Sequence, residues 1–237
     1  MSGDATPAGQ GHIDAETVGG DRPDIRERME RMYRPQLLIY DLTRKYYLFG
    51  RDAVIASLDA RPGERLIDVG CGTGRNLEAI ARRYPGVELH GLDAAGAMLE
   101  TTEKRFRRQG LPAPLLARAT AEELDPRAHF GIGCADHVLF SYSLSMMDDP
   151  RLALERAALA LAPGGRLHVV DFGPMDGLPR PLALLMRGWL ARFDVHHRPE
   201  IAPTLRQLAQ VHAGTTRRRR LAGGYAEILQ LERAAAG

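Results

Sequence analysis

Asp68, Gly70, Cys71, Gly72, Gly74, Asn76 and Asp93 are the residues of this chain whose types and spacing point most directly to chemistry. Glycines at alternate positions can adopt backbone angles closed to other residues, and lacking side chains they let a ligand lie directly on the main chain. The spacing G-x-G-x-G departs from the dinucleotide pattern G-x-G-x-x-G. Asp93 follows about 20 residues on, where a carboxylate can accept from both hydroxyls of an adenosine ribose. Asp68 stands just before the turn, where a pyrophosphate would be repelled and a ligand carrying an ammonium group would not. The set therefore favours S-adenosylmethionine over NAD as cofactor.

Elements to position these residues are legible on either side. Leu66-Ile67-Asp68-Val69 reads as a buried strand, the glycines as a tight turn, and Asn76 to Tyr84 as a helix ended by Pro85-Gly86. Val87 to Leu92 is a second strand ending in Asp93, Ala97 to Arg108 a second helix, and Ala113 to Ala117 a weaker strand. Asp149-Pro150 opens a helix reaching Leu161, with Asp149 as its cap. Arg166 to Val170 is the fifth strand, Pro203 to Val211 a late helix, and Thr215 to Leu221 with Tyr225 to Leu231 an antiparallel hairpin. This alternation predicts an α/β sandwich, a Rossmann-like sheet of seven mostly parallel strands with helices on both faces.

With these residues in place the stretch resembles motif I of the class I S-adenosylmethionine-dependent methyltransferases. Leu89 to Leu99 resembles the ribose-binding motif, in which Ala94 follows Asp93 and Met98 stands where the family packs an apolar side chain on adenine. Asp136 to Leu144 resembles the fourth strand and its substrate-facing end, including Ser141, and Leu161 to Leu167 the L-x-P-G-G turn. Thr120, beside Ala121, stands where many members place an acid near the adenine amino group. There the Thr120 hydroxyl or a neighbouring carbonyl would have to accept. The resemblance implies the strand order and the product S-adenosylhomocysteine.

Tyr33 to Asp52 also resembles the N-terminal region of bacterial betaine-lipid methyltransferases, which convert diacylglyceryl-homoserine to diacylglyceryl-trimethylhomoserine. That resemblance implies three successive transfers to one nitrogen, and a preceding aminocarboxypropyl transferase as a pathway partner. Four of the seven tyrosines lie between Met32 and Leu48. Each can be core packing or a ring face for a methylated ammonium, which such rings attract by roughly 0.5–2 kcal/mol. Tyr33, Tyr40, Tyr46, Tyr47 and Tyr142 are the candidates, with Asp171 at a strand end that lines the crevice of such sheets. Arg44, Lys45 and Arg51 are candidates for the substrate carboxylate. None is singled out as a general base.

Composition sets outer limits. Lys+Arg total 32 against Asp+Glu 30, so no global charge excess points to nucleic acid. The sequence Phe140-Ser141-Tyr142-Ser143 also departs from the D/N-P-P-Y/F motif of nucleic-acid amino methylation. Two cysteines fit a reducing cytoplasm, and neither a signal peptide nor a membrane-spanning run is expected. No metal is expected. Residues 1–20 are expected to be a disordered tail, and 21–237 one domain whose first part, 21–60, is a helical lid. Leu182, Leu185, Met186, Trp189 and Phe193 are expected to share a helical face flanked by Arg180, Arg187 and Arg192, fitting either a pocket cap or an interfacial helix on an anionic membrane. Trp189 is the substrate-side candidate of that helix. The wider readings are a small-molecule or quinone methyltransferase of the same fold, or a non-catalytic cofactor-binding partner.

Overall fold

The structure, a computed structural model, describes residues 50–192 and 197–235. Its elements follow the chain as α1 (Arg51–Ala56), β1 (Arg65–Val69), α2 (Arg75–Arg83), β2 (Glu88–Asp93), α3 (Gly96–Gln109) and β3 (Leu115–Arg118). Then come α4 (Pro126–Phe130), β4 (Ala135–Ser141), α5 (Pro150–Ala160), β5 (Leu161–Phe172), α6 (Arg180–Ala191), α7 (Ile201–Val211), β6 (Thr215–Leu221) and β7 (Ala226–Glu232). The strands form one sheet in the order β3-β2-β1-β4-β5-β7-β6. The first five pair in parallel, while β7 runs antiparallel between β5 and β6. This is the expected seven-stranded sheet with its antiparallel C-terminal hairpin.

Burial explains the alternation. Leu66, Ile67, Val69, Val138, Leu139 and Phe140 are wholly buried, as central parallel strands covered on both faces require. One apolar cluster joins Ile67, Val69, Val138 and Phe140 to α5 and α7 through Leu154, Leu205 and Ala209. The other joins Leu66, Leu139 and Val170 to α1, α2, α3 and α6 through Val54, Leu77, Phe106 and Leu190. Because β1 leads outward to β2 and β3 while β4 leads the other way to β5, the strand order reverses between β1 and β4. A crevice opens there, beyond the carboxyl ends of the strands.

Local differences from the sequence reading have local causes. Helix α4 was not anticipated: five residues give no periodicity, although Asp125 caps it by accepting from Arg127 and Ala128 N–H, with Pro126 first and Gly131 after its end. Strand β5 begins at Leu161, earlier than expected, because Leu161 pairs with Ala135 across an irregularity before the regular register resumes at His137 and Arg166. Strand β6 is the sheet edge, and its four arginines, Arg217 to Arg220, are exposed as a charged edge should be.

Helix α6 differs more. It buries Ala183 and Leu190 and half-buries Met186 and Trp189 against the second cluster. Leu182, Leu184 and Leu185 face outward, 42, 67 and 64% exposed. The expected single face is thus divided, because Ala183 and Leu190, seven residues apart, set the inward stripe. Phe193 lies outside the described residues, as do the proposed tail and the lid up to residue 49.

Candidate active site

Strand β1 delivers its last residues to a turn that is fastened from three sides. The N–H groups of Gly70 and Cys71 both donate to the Leu92 carbonyl of β2, at 2.8 and 3.1 Å. From α3, the Thr102 hydroxyl donates to the Gly72 carbonyl at 2.9 Å, and Arg105 Nε to the Thr73 carbonyl at 2.8 Å. The Arg105 guanidinium also reaches Glu78 of α2 at 3.1 Å. From the loop after β4, the Ser143 hydroxyl donates to the Val69 carbonyl at 3.0 Å.

The glycines of the turn serve different ends. A Cβ on Gly70 would stand 2.6 Å from the Ser143 Cβ, and one on Gly74 2.5 Å from the Thr102 Cγ2, so both are required by packing. A Cβ on Gly72 would meet nothing within 4 Å. It would point into open space above the turn, where a ligand could lie on the backbone.

Asp93 and Asp68 flank this space. Asp93, ending β2, accepts from the Gly72 N–H at 2.8 Å through Oδ2 and from the Ala95 N–H at 2.9 Å through Oδ1. These two bonds fix the orientation of the group. Asp68 is fully buried, and among the described residues neither of its oxygens has a partner at hydrogen-bond geometry. Burial pushes its carboxyl up to about 7, opposed by the nearby Asn76 amide and reinforced by the charge of Asp93. Burial likewise raises the Cys71 thiol, with Asp93 and Asp68 adding to the effect, so Cys71 serves as an apolar wall.

On the outer side of β2, Met98 is buried, Ala94 is half-buried and Ala121 is buried. Thr120 is drawn into a capping box. Its hydroxyl accepts from the Glu123 N–H, its own N–H donates to Glu123 Oε2 at 2.9 Å, and its Oγ lies 3.2 Å from the same oxygen. One acceptor position of the hydroxyl remains for an adenine amino group.

The ends of β4 and β5 close the crevice. Tyr142 has a left-handed backbone (φ 55°), is 1% exposed, and packs edge-on against Phe172 with ring centroids 4.7 Å apart. Burial pushes its hydroxyl far above the usual range, so it stays protonated. Asp171, also buried, accepts from the N–H groups of Ser145 and Phe172 at 3.0 and 2.8 Å. Ser141 and Ser145 each hold a buried hydroxyl with no partner among the described residues. Together with Asp68, three side chains at this end of the sheet therefore retain unsatisfied hydrogen-bonding capacity, which buried polar atoms in native proteins rarely do. The glycine cradle, the two acids and these atoms fit S-adenosylmethionine.

The structure thus brings together Asp68, Gly70, Cys71, Gly72, Gly74, Asn76, Asp93, Ala94, Met98, Thr120, Ala121, Ser141, Tyr142 and Asp171. Arg51, at the start of α1, is paired with Asp52 at 3.0 Å, and Trp189 of α6 packs against the second apolar cluster. Tyr33, Tyr40, Arg44, Lys45, Tyr46 and Tyr47 lie outside the described residues. Sequence reasoning missed Thr102, Arg105, Ser143 and Ser145. The signal for Thr102 was a hydroxyl within the buried stripe Met98, Leu99, Thr102, Phe106 of α3. Among the described residues, no cluster of His, Cys, Asp and Glu could hold a metal, and no helix is long and apolar enough to cross a membrane.

Residues 67–167 match the family described as methyltransferase domain. A demethylmenaquinone methyltransferase of Thermus thermophilus is 33% identical over 142 residues, covering 57% of this chain and 61% of that protein. A trans-aconitate 2-methyltransferase of Pseudomonas aeruginosa is 38% identical over 108 residues, covering 44% and 34%. The chain thus spans less than two thirds of these relatives. Among solved structures, the magnesium protoporphyrin IX methyltransferase of Synechocystis, with S-adenosylhomocysteine bound, superposes with a TM-score of 0.63. It is 17% identical, with 88% of this chain and 99% of that chain covered, a likeness of fold: the class I methyltransferase fold.

Proposed function

We propose that this chain is an S-adenosylmethionine-dependent methyltransferase whose acceptor is a small molecule. The observation that carries the reading is the flanking of an open glycine cradle by Asp93, already hydrogen-bonded to it, and by the buried, unpartnered Asp68. The methyltransferase-domain match over residues 67–167 supports it. The relatives named for quinone and organic-acid methylation favour this broader reading over N-methylation of a lipid headgroup.

When bound, the cofactor supplies an electrophilic methyl group on a sulfonium with an excellent leaving group, which leaves the protein mainly to position the reactants. The turn at Gly70 to Gly74 offers backbone contact, Asp93 offers acceptors for a ribose diol, and Asp68 a carboxylate for an ammonium group. Tyr142 and Phe172 wall the crevice with aromatic edges and exclude water. Asp171 is held in orientation by two N–H groups, so it stands as a fixed carboxylate beside the acceptor rather than a swinging one.

A second reading, that the acceptor is a lipid headgroup such as that of diacylglyceryl-homoserine, is favoured by the outward leucines of α6, with Arg180 at the start of that helix. An anionic surface contributes about 1 kcal/mol for each nearby basic residue. Two experiments separate the readings. Calorimetry should show S-adenosylhomocysteine binding to the full chain, and no binding would reject both. Tritiated methyl from S-adenosylmethionine should then appear in the water-soluble fraction of a metabolite extract. Label carried on the headgroup of an acyl lipid, identified by mass spectrometry and distinct from any quinone, with sedimentation of the protein on anionic vesicles, would replace the first reading by the second.

A further inference from the structure

Between the end of β5 and the first turn of α7 lies a cavity of about 250 Å³, lined among others by Asp171, Arg198, Arg206, Arg218, Arg220 and Glu227. Most of its charges answer one another. Glu227, 6% exposed, accepts from Arg218 at 2.6 Å and from Arg220 at 3.1 Å, and Arg220 also holds Asp176 at 2.8 Å. Asp171 is engaged by the two backbone N–H groups already described.

Two arginines on the α7 side remain. Arg198 spends one Nη2 bond on the neutral Met147 carbonyl at 2.7 Å, with Glu200 no nearer than 3.8 Å, and its Nε–H is buried without an acceptor. Arg206, on the exposed side of α7, has no ion-pair partner among the described residues. The first turn of α7 also lines the cavity; its N-cap Glu200 makes no side-chain capping bond, Ile201 N–H donates to the Arg198 carbonyl at 3.3 Å and Pro203 has no N–H, which leaves the Ala202 N–H at the helix start. A buried donor without an acceptor, an unpaired guanidinium and an uncapped helix start together call for an oxygen anion. Guanidinium geometry matches a planar carboxylate, which can accept two parallel N–H bonds.

The cavity is one loop away from the glycine turn. Ser143 bonds Val69 and stands against Gly70, Ser145 N–H donates to Asp171 on the cavity wall, and the Met147 carbonyl receives Arg198. Residues 143–147 therefore have the cradle on one side and the cavity on the other. We infer that this cavity binds a carboxylate carried by the methyl acceptor, making the acceptor an organic acid. The inference rests on the small-molecule methyltransferase reading and specifies its substrate class.

The test uses the full chain with succinate as probe, succinamide as its uncharged counterpart and inorganic phosphate as a different anion. Calorimetry should detect succinate with and without saturating S-adenosylhomocysteine, and no comparable binding of succinamide or phosphate. Arg206→Gln, at an exposed position, should weaken succinate about tenfold or more while leaving S-adenosylhomocysteine affinity and the melting temperature unchanged. Arg198→Lys, which keeps the charge and loses the fork, should weaken it similarly. Succinate should also compete with methyl transfer to a metabolite extract, and succinamide should not. The inference is overturned by absent succinate binding up to about 10 mM, by phosphate binding in its place, by undiminished affinity in Arg206→Gln, by displacement of S-adenosylhomocysteine, or by no competition with transfer. Failure of S-adenosylhomocysteine to bind would reject the methyltransferase reading instead, and the cofactor-free succinate titrations would still decide whether the carboxylate site exists.

Discussion

The carboxylate of Asp93 accepts the N–H of Gly72 at 2.8 Å, so the acid at the end of β2 and the turn after β1 are one rigid unit before any ligand arrives. Preorganisation of this kind reduces the cost of binding. Asp93→Ala should therefore weaken S-adenosylhomocysteine by more than lost ribose contacts alone, on the order of a hundredfold or more, because the turn is loosened too. Asp93→Asn, which keeps one acceptor for Gly72, should fall between. Calorimetry giving equal affinities for Asp93→Ala and the parent would remove Asp93 from the site.

Gly72 separates folding from binding. Its φ of 55° is left-handed, and a Cβ there would meet no protein atom within 4 Å. Gly72→Ala should fold, at a cost of about 1–2 kcal/mol for the backbone angle, and lose most of its cofactor affinity. Gly74→Ala drives a Cβ into Thr102 and should lose stability more heavily. Urea denaturation and calorimetry on the two variants check the contrast. A Gly72→Ala protein that binds normally would show that the open space is not where the ligand lies.

The turn and the acids were legible in the sequence because each rests on residues close together in the chain or at a fixed interval across one β-α-β unit. Asp68, Gly70, Gly72, Gly74 and Asp93 are of that kind. Ser143 and Ser145 were not, since their meaning depends on β4 being placed beside β1, 74 residues away at the Ser143–Val69 contact. Thr102 and Arg105 look like an ordinary helix surface until α3 is laid over the turn. The face of α6 was misjudged for a related reason. Helical spacing identified a set of apolar positions wider than the protein could bury, and only packing into the second apolar cluster, with Phe172 and Tyr225 among its members, decided which were inside.

At the opposite end of the sheet, a chain links the buried His168 and His137 to the half-buried Glu64. His137 Nδ1 lies 3.2 Å from His168 Nε2, and His137 Nε2 3.0 Å from Glu64 Oε2. The chain is satisfied when His168 Nε2–H donates to His137 and His137 Nε2–H to Glu64. Burial, with the charges of His137 and Arg166, lowers His168 from 6.5 to about 3. The unfolded chain therefore takes up a proton below pH 6.5 that the folded one refuses, and stability is lost as pH falls from 6.5 towards 3. His168→Gln keeps an amide donor and cannot titrate. Its stability relative to the parent should rise by about 1.4 kcal/mol for each pH unit of acidification in that window. Parallel urea midpoints for the two proteins across the window would show that His168 is not held neutral.

Asp68 has the opposite sign. Its carboxyl is raised from 3.8 to about 7, so the folded chain holds a proton that the unfolded one releases, and stability is lost as pH rises from 3.8 to 7. Above that range the folded protein carries a buried carboxylate eased only by the nearby Asn76 amide, at a cost of about 4 kcal/mol at most. Asp68→Asn, of the same shape and without charge, should be more stable than the parent at pH 8, and about equally stable near pH 4. If the carboxylate is kept for the ammonium group of the cofactor, the variant should bind S-adenosylhomocysteine at least about tenfold more weakly at pH 8. Its affinity should also change little with pH. The parent's affinity should rise towards neutral pH by up to about tenfold per unit and level off above 7, as ionised Asp68 becomes available before the ligand arrives. Calorimetry at several pH values measures both curves. A parent affinity that is flat through pH 7, or an Asn variant that binds as tightly as the parent, would mean that the buried carboxylate does not answer the ligand's charge.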